Sequence, residues 1–154
     1  MSTLFICPTP IGNLEDISER VLKTLATSDV IYCEDTRRAK KLIDKFSIST
    51  PLKSYFLGNE VAKVGEIEET LDKGMNVALI SDAGTPLISD PGNLLIQQLI
   101  LKNYNIVSIP GPSSVLTALT ISGFELNEFQ FLGFVPKAGK ERGEFVIKLL
   151  NSKM

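Results

Sequence analysis

Apolar residues along this chain follow two alternating rhythms. Short apolar runs at Leu4 to Cys7, Val30 to Cys33, Val77 to Ile80, Ile106 to Ile109 and Phe129 to Val135 have the length and composition of buried strands. Between them the spacing turns helical. Ile17, Val21 and Leu25 recur every fourth residue, and Ala39, Leu42, Ile43 and Phe46 trace one helical face. Val61, Val64, Ile67 and Leu71 do the same. The punctuation agrees. Asp16 with Glu19 reads as a capping box, and Asp90-Pro91 as a cap with proline at the first helical position. Gly74 and Gly123 stand where helices stop. Strands alternating with helices predict an α/β domain: a mostly parallel five-stranded sheet with helices on both faces. Pro91 to Lys102 is apolar nearly all round, through Leu94, Leu95, Ile96, Leu99, Ile100 and Leu101. One side of that helix covers the sheet. The other asks for a second layer, a second domain or a dimer mate. A further helical pattern runs from Glu141 to Leu150.

Composition narrows the chemistry. At 154 residues the chain has the length of one globular domain. No apolar run approaches a membrane span, and Met1-Ser2-Thr3-Leu4 has no basic region that would open a signal peptide. The expectation is a soluble, cytoplasmic protein. A net charge of −2 argues against gripping nucleic acid by bulk charge. The chain has no histidine, which removes imidazole as base, triad partner or metal ligand. Cys7 and Cys33 both sit in apolar runs and read as small buried hydrophobes; no metal site is expected.

Three loops that follow predicted strands are rich in Gly and Pro. They are Pro8-Thr9-Pro10-Ile11-Gly12-Asn13-Leu14, the stretch from Ser81 to Gly92, and Pro110-Gly111-Pro112-Ser113-Ser114. In open α/β sheets ligands bind beyond the carboxyl ends of strands, so all three should meet at one edge. None is a phosphate cradle: the first loop lacks G-x-G-x-x-G, and no Gly-Lys-Ser/Thr ending is present. Two readings fit. The loops receive a ligand without phosphates, for which S-adenosyl-L-methionine is a match, or they are simply tight turns.

The strings Cys7 to Leu14, Glu34-Asp35-Thr36-Arg37, Ser81-Asp82-Ala83-Gly84-Thr85-Pro86-Leu87-Ile88-Ser89-Asp90-Pro91-Gly92 and Pro110 to Ser114 resemble the small-subunit ribosomal RNA methyltransferase I family. That family is a branch of the tetrapyrrole (corrin/porphyrin) methylase superfamily. Phe131-Leu132-Gly133-Phe134-Val135-Pro136 fits the same pattern, and the resemblance runs in register from Leu4 to about Gly143. It implies a methyltransferase that uses S-adenosyl-L-methionine on the ribose 2′-hydroxyl of a cytidine in small-subunit ribosomal RNA. Its partner would be that RNA or the immature small ribosomal subunit, and a homodimer is expected. The cofactor would lie between two α/β domains. Residues 1–134 would be the cofactor-binding domain, and 135–154 a linker with the start of a second. On that reading the chain is the N-terminal part of such an enzyme.

Carried over residue by residue, the resemblance assigns cofactor binding to Pro10 and Gly12 in the first loop. In the second it assigns Asp82, Ala83, Gly84, Thr85 and Ile88, with Thr85 standing where relatives have an acidic residue. In the third it assigns Ser113 and Ser114. Glu34, Asp35 and Arg37 are the catalytic candidates: they end the second strand, where a carboxylate can accept the hydroxyl proton and an arginine anchor a phosphate. A helix cap with an ordinary ion pair fits the same residues. Asn59-Glu60 resembles another family loop, with Glu60 on the substrate side. Arg37, Lys41 and Lys45 form a stripe that suits either an RNA backbone or a solvated face, and Lys137, Lys140 and Arg142 are candidates to help. The alternatives are a non-catalytic dimerising remnant and a small-molecule methylase of tetrapyrrole type. A nicotinamide-binding domain ranks last, for lack of the glycine fingerprint.

Overall fold

The computed structural model describes residues 2–151, which gather into two compact units that divide after Ser114. In the first unit, β1 (Thr3–Cys7), β2 (Val30–Cys33), β3 (Leu52–Ser54), β4 (Val77–Ile80) and β5 (Asn105–Ser108) form one parallel sheet. The strand order is β3-β2-β4-β1-β5. Helices α1 (Glu19–Thr27), α2 (Thr36–Lys45), α3 (Glu60–Asp72) and α4 (Asn93–Leu101) link the strands.

The period-two pleat divides each strand between two cores. Leu4, Ile6, Tyr32, Val77 and Leu79 pack with Ile67 and Leu71 of α3 and Leu95 and Leu99 of α4. Cys7, Ile31, Cys33, Ala78 and Ile80 face the other way, onto Val21 and Leu25 of α1 and Ala39 and Ile43 of α2. The expected α/β class, with a five-stranded sheet covered on both faces, is what the chain adopts.

Four elements differ from their sequence expectation. Phe129 to Val135 is irregular rather than a strand, because it has no described neighbour to complete a ladder and Gly133 turns it at φ +75°. The fifth strand is β3 instead. It carries one aliphatic residue, Leu52, and is recruited by pairing with β2, with Leu52 opposite Ile31. The cap of α1 is Ser18, whose hydroxyl accepts from the Val21 N–H at 3.2 Å, while Asp16 belongs to a 3-10 turn at Leu14–Asp16. Pro91 does not open α4. Gly92 is the N-cap, with no side-chain cap of its own.

The outer side of α4 stays partly in solvent, with Ile100 60% and Leu101 74% exposed. The second unit holds the rest of α5 (Ser114–Thr120), an irregular stretch and α6 (Gly139–Leu150). Residues 1 and 152–154, which the expected segments 1–134 and 135–154 include, lie outside the described residues. No described helix is long and apolar enough to cross a membrane.

Candidate functional site

β1 and β4 lie side by side, yet α1 packs on one face of the sheet and α4 on the other. The loops after these strands therefore leave in opposite directions and open a crevice at the carboxyl edge, the switch point of a doubly wound sheet. Reciprocal backbone bonds span it. The Thr9 N–H donates to the Gly84 carbonyl and the Gly84 N–H to the Thr9 carbonyl, each at 2.9 Å. The Thr9 hydroxyl donates to the Ser81 carbonyl at 3.0 Å, and the Thr85 hydroxyl to the Pro112 carbonyl at 3.0 Å. The last bond ties the third loop to the second. Gly84 takes φ +81°, so this position needs glycine for its conformation, and a Cβ there would press on Ile11 Cδ1 at 3.2 Å.

A cleft of about 290 Å³ opens beside the bridge. Pro10, Gly12 and Asp82 line it from the loops, and Arg38, Lys41 and Leu42 from α2. Three of the nine expected cofactor residues thus share one cleft. Ala83, Gly84 and Thr85 sit on the bridge itself and its link to the third loop. Ser113 is half-buried, Ser114 is exposed as α5 begins, and Ile88 is 53% exposed.

The catalytic candidates fall in two places. Asp35 is the N-cap of α2, accepting from the Arg37 N–H at 2.8 Å. The Arg37 guanidinium grips the same carboxylate at 3.0 Å through Nε and 2.7 Å through Nη2. These bonds hold the Asp35 carboxyl well below the usual carboxylate range. Glu34 instead borders a narrow hollow with Tyr55, Ser81 and Asp90. Burial first, then the charges of Asp82 and Asp90, push its carboxyl up. Asp90 is raised as well, mainly by burial. Asp82 lies between the two places: Oδ1 accepts from the Asp35 N–H at 3.2 Å, and Oδ2 pairs with Arg38 Nη1 at 3.3 Å.

The mouth of the sheet therefore sets the carboxylates of Glu34, Asp35, Asp82 and Asp90 beside Arg37, Arg38 and Lys41, with small apolar walls and many backbone groups, which suits a ligand of mixed charge that has polar edges. Cys7 and Cys33 take no part. Both are buried, and burial pushes each thiol up to about 12. No group among the described residues is arranged to hold a metal ion. Sequence reasoning missed Arg38 as a cleft residue, although its place one turn into α2 from the Asp35 cap is a readable signal. It also set Glu60 toward a substrate. The structure turns Glu60 onto the loop after β4, where Oε1 accepts from the Gly92 N–H at 2.9 Å.

Comparison with known proteins adds three findings. The family model for Tetrapyrrole (Corrin/Porphyrin) Methylases matches residues 3–151. Ribosomal RNA small subunit methyltransferase I of Vibrio cholerae is 44% identical over 146 residues, 95% of this chain and 51% of that protein. The protein of the same name from Mycoplasmopsis pulmonis is 48% identical over 145 residues, 94% of this chain and 65% of its own length. The chain thus spans only about half to two-thirds of these two relatives. Among solved structures, uroporphyrin-III-C-methyltransferase from Thermus thermophilus superposes with a TM-score of 0.61 at 18% identity, covering 83% of this chain and 55% of that one. A cobalt precorrin-4 methyltransferase superposes at 0.60 and 24% identity, covering 80% and 52%. At such identities these two likenesses speak for the fold.

Proposed function

The chain belongs to the tetrapyrrole (corrin/porphyrin) methylase family, and from that premise we propose that it forms the cofactor-binding part of a ribosomal RNA methyltransferase. The substrate in this reading is the ribose 2′-hydroxyl of a cytidine in small-subunit ribosomal RNA, presented on the immature subunit. One observation carries the site: the Thr9–Gly84 bridge and the Thr85–Pro112 bond draw three loops into one mouth beside a 290 Å³ cleft. The sequence identity to proteins named for that RNA supports the substrate.

The residues present fit S-adenosyl-L-methionine. Pro10 lines the cleft and Ile88 offers exposed apolar surface, and Gly84 lets the first loop and Pro112 of the third pack closely against the second. Glu34 brings a carboxylate that forms no ion pair with an arginine among the described residues, which suits a positive charge. Gly12, Ala83, Thr85, Ser113 and Ser114 supply backbone and small polar groups around it. When bound, the cofactor supplies an electrophilic methyl group on a sulfonium. Glu34 is the proton acceptor we assign for the hydroxyl, because its raised carboxyl holds a proton better than Asp35. Asp35 holds the Arg37 head group, and Arg37 with Lys41 anchors RNA phosphate. Positioning carries much of the rate gain in such a transfer. In this reading residues 1–134 bind the cofactor and 135–154 lead onward. The working protein is a cytoplasmic homodimer joined through Ile100 and Leu101 of α4.

Titration calorimetry of this chain with S-adenosyl-L-methionine, S-adenosylhomocysteine and NAD in parallel tests the cofactor. Binding of the first two but not NAD is expected, and Gly84→Val should abolish it. No binding of either, with a fixed dimer by sedimentation, favours the non-catalytic remnant. Methyl transfer by the chain joined to a relative's second half separates immature ribosomal subunits from a precorrin substrate.

A further inference from the structure

The loop between β4 and α4 takes an unusual path. Leu87 and Ser89 adopt φ of 75° and 70°, and Gly92 follows at 131°. Non-glycine residues rarely hold the left-handed region, and two of them so close together persist only where surrounding structure over-determines them. The first half of the loop has such support in the Thr9–Gly84 bridge and in the Ser81 hydroxyl, which donates to the Gly84 carbonyl at 3.2 Å. The second half carries Ile88 and Ser89, both exposed. It ends at Gly92, the N-cap of α4, which offers no side chain to cap that helix.

What closes the loop comes from α3. Glu60 Oε1 accepts from the Gly92 N–H at 2.9 Å and from the Tyr55 hydroxyl at 3.3 Å. Its carboxylate does for Gly92 what the glutamate of a capping box does for its own N-cap, but from thirty-two residues away. It also sets a negative charge at the positive end of α4. Tyr55 is 1% exposed, so the donor behind the carboxylate is fixed by the core. Gly92 is hemmed in too: a Cβ there would meet Leu87 Cδ2 at 2.4 Å, so the Leu87 side chain lies close over the end of the loop.

We propose that Glu60 is a positioning residue: through Gly92 it holds the Leu87–Gly92 arc in the shape that presents Ile88 to the cofactor, and it does not itself touch substrate. This rests on the cofactor reading above. The later half of the arc is tied by a side chain from another helix. Freed from Glu60, Leu87 and Ser89 relax toward ordinary backbone, and Ile88 leaves its place.

The test compares Glu60→Ala, Glu60→Gln and Tyr55→Phe in this chain by two readouts. One is S-adenosylhomocysteine affinity by calorimetry, and the other is hydrogen exchange of the Gly92 amide in the free protein. Glu60→Ala should speed Gly92 exchange at least tenfold and weaken binding about tenfold, with exchange in β1 and β4 unchanged. Glu60→Gln keeps an acceptor and should stay within about threefold of wild type in both, and Tyr55→Phe should fall between. Unchanged exchange and binding in Glu60→Ala overturns the proposal, as does faster exchange with unchanged binding. If the wild-type chain binds no S-adenosylhomocysteine, the cofactor reading falls, and Gly92 exchange alone then decides whether Glu60 holds the arc.

Discussion

The two units of this chain put apolar residues to opposite uses. In the first, every strand but β3 and β5 is buried along nearly its whole length, and Leu4, Leu25, Ile31, Ile67, Leu95 and Leu99 are sealed from solvent. In the second, none of the described residues is buried, although Ile121, Phe124, Phe134 and Leu150 are each at least 78% exposed. Hydrogen bonds follow the same division. The first unit is tied by bonds between residues far apart in sequence, such as Thr9 to Gly84 and Glu60 to Gly92. The side-chain bonds described within the second reach no further than six residues, as from Arg142 to Pro136. Hydrophobic residues alone do not make a core. They need elements that return to meet them, and the parallel sheet supplies those returns only in the first unit.

The strongest way to break this contrast is to remove one large side chain from each unit. Leu99 is fully buried between α3 and the sheet, and Leu99→Ala should cost about 2–5 kcal/mol, the range for emptying a packed leucine site. Phe124→Ala should change stability by less than about 0.5 kcal/mol, as expected for an exposed position. Urea unfolding followed by tyrosine fluorescence is the direct measurement. Tyr32, Tyr55 and Tyr104 are the chain's three tyrosines and it has no tryptophan, so the signal reports the first unit alone. A tyrosine-detected loss above about 2 kcal/mol for Phe124→Ala would mean that folding of the first unit draws on the second, and the contrast would fail.

The same contrast explains what the sequence made legible. β1, β2, β4 and most of β5 could be read because continuous apolar runs are what a sheet buried on both faces requires. Phe129 to Val135 has an equally apolar run, but strand pairing depends on a neighbour, and local pattern cannot supply one. β3 was invisible for the converse reason: its neighbour makes it a strand, while Lys53 and a single Leu52 give no pattern. At the site, the three loops were legible from their glycines and prolines. The role of Glu60 was not, since it depends on where α4 sets its first turn, a tertiary fact, whereas Arg38 left a sign in its place just after the Asp35 cap.

Acid titration sharpens the comparison from the electrostatic side. Glu66 on α3 accepts from Lys53 at 2.6 Å, from Lys63, and from the Tyr32 hydroxyl at 3.0 Å. Chiefly through Lys53 and then Lys63, its carboxyl is lowered from 4.5 to about 2. A carboxyl lowered by folding stabilises the folded form above its unfolded value, and that contribution is lost as pH falls. The window here runs from 4.5 down to about 2. Glu66→Gln should therefore flatten the acid limb of the tyrosine-detected stability curve in that window. Taking the difference from wild type cancels the other carboxylates, including Glu34, whose raised carboxyl acts with the opposite sign. An unchanged acid limb would show that the lysines hold Glu66 no better folded than unfolded.

The smallest effects come from helix caps, and they probe cooperativity most finely. Ser18 caps α1 in the first unit, and Ser18→Ala should cost about 1 kcal/mol, read as a lower urea midpoint by tyrosine fluorescence. The N-cap of α6 is Ala138, extended at φ −161° and ψ 177°, with no side-chain bond to the helix. Ala138→Ser offers the missing acceptor. A 12-residue helix without a core beneath it is marginal in water, so its gain should appear as a small rise in far-ultraviolet ellipticity, with the tyrosine midpoint unmoved. The two caps are chemically alike, and only their surroundings differ. If Ala138→Ser raised the tyrosine midpoint as much as Ser18→Ala lowers it, α6 would be folding with the sheet, and the contrast between the units would fail.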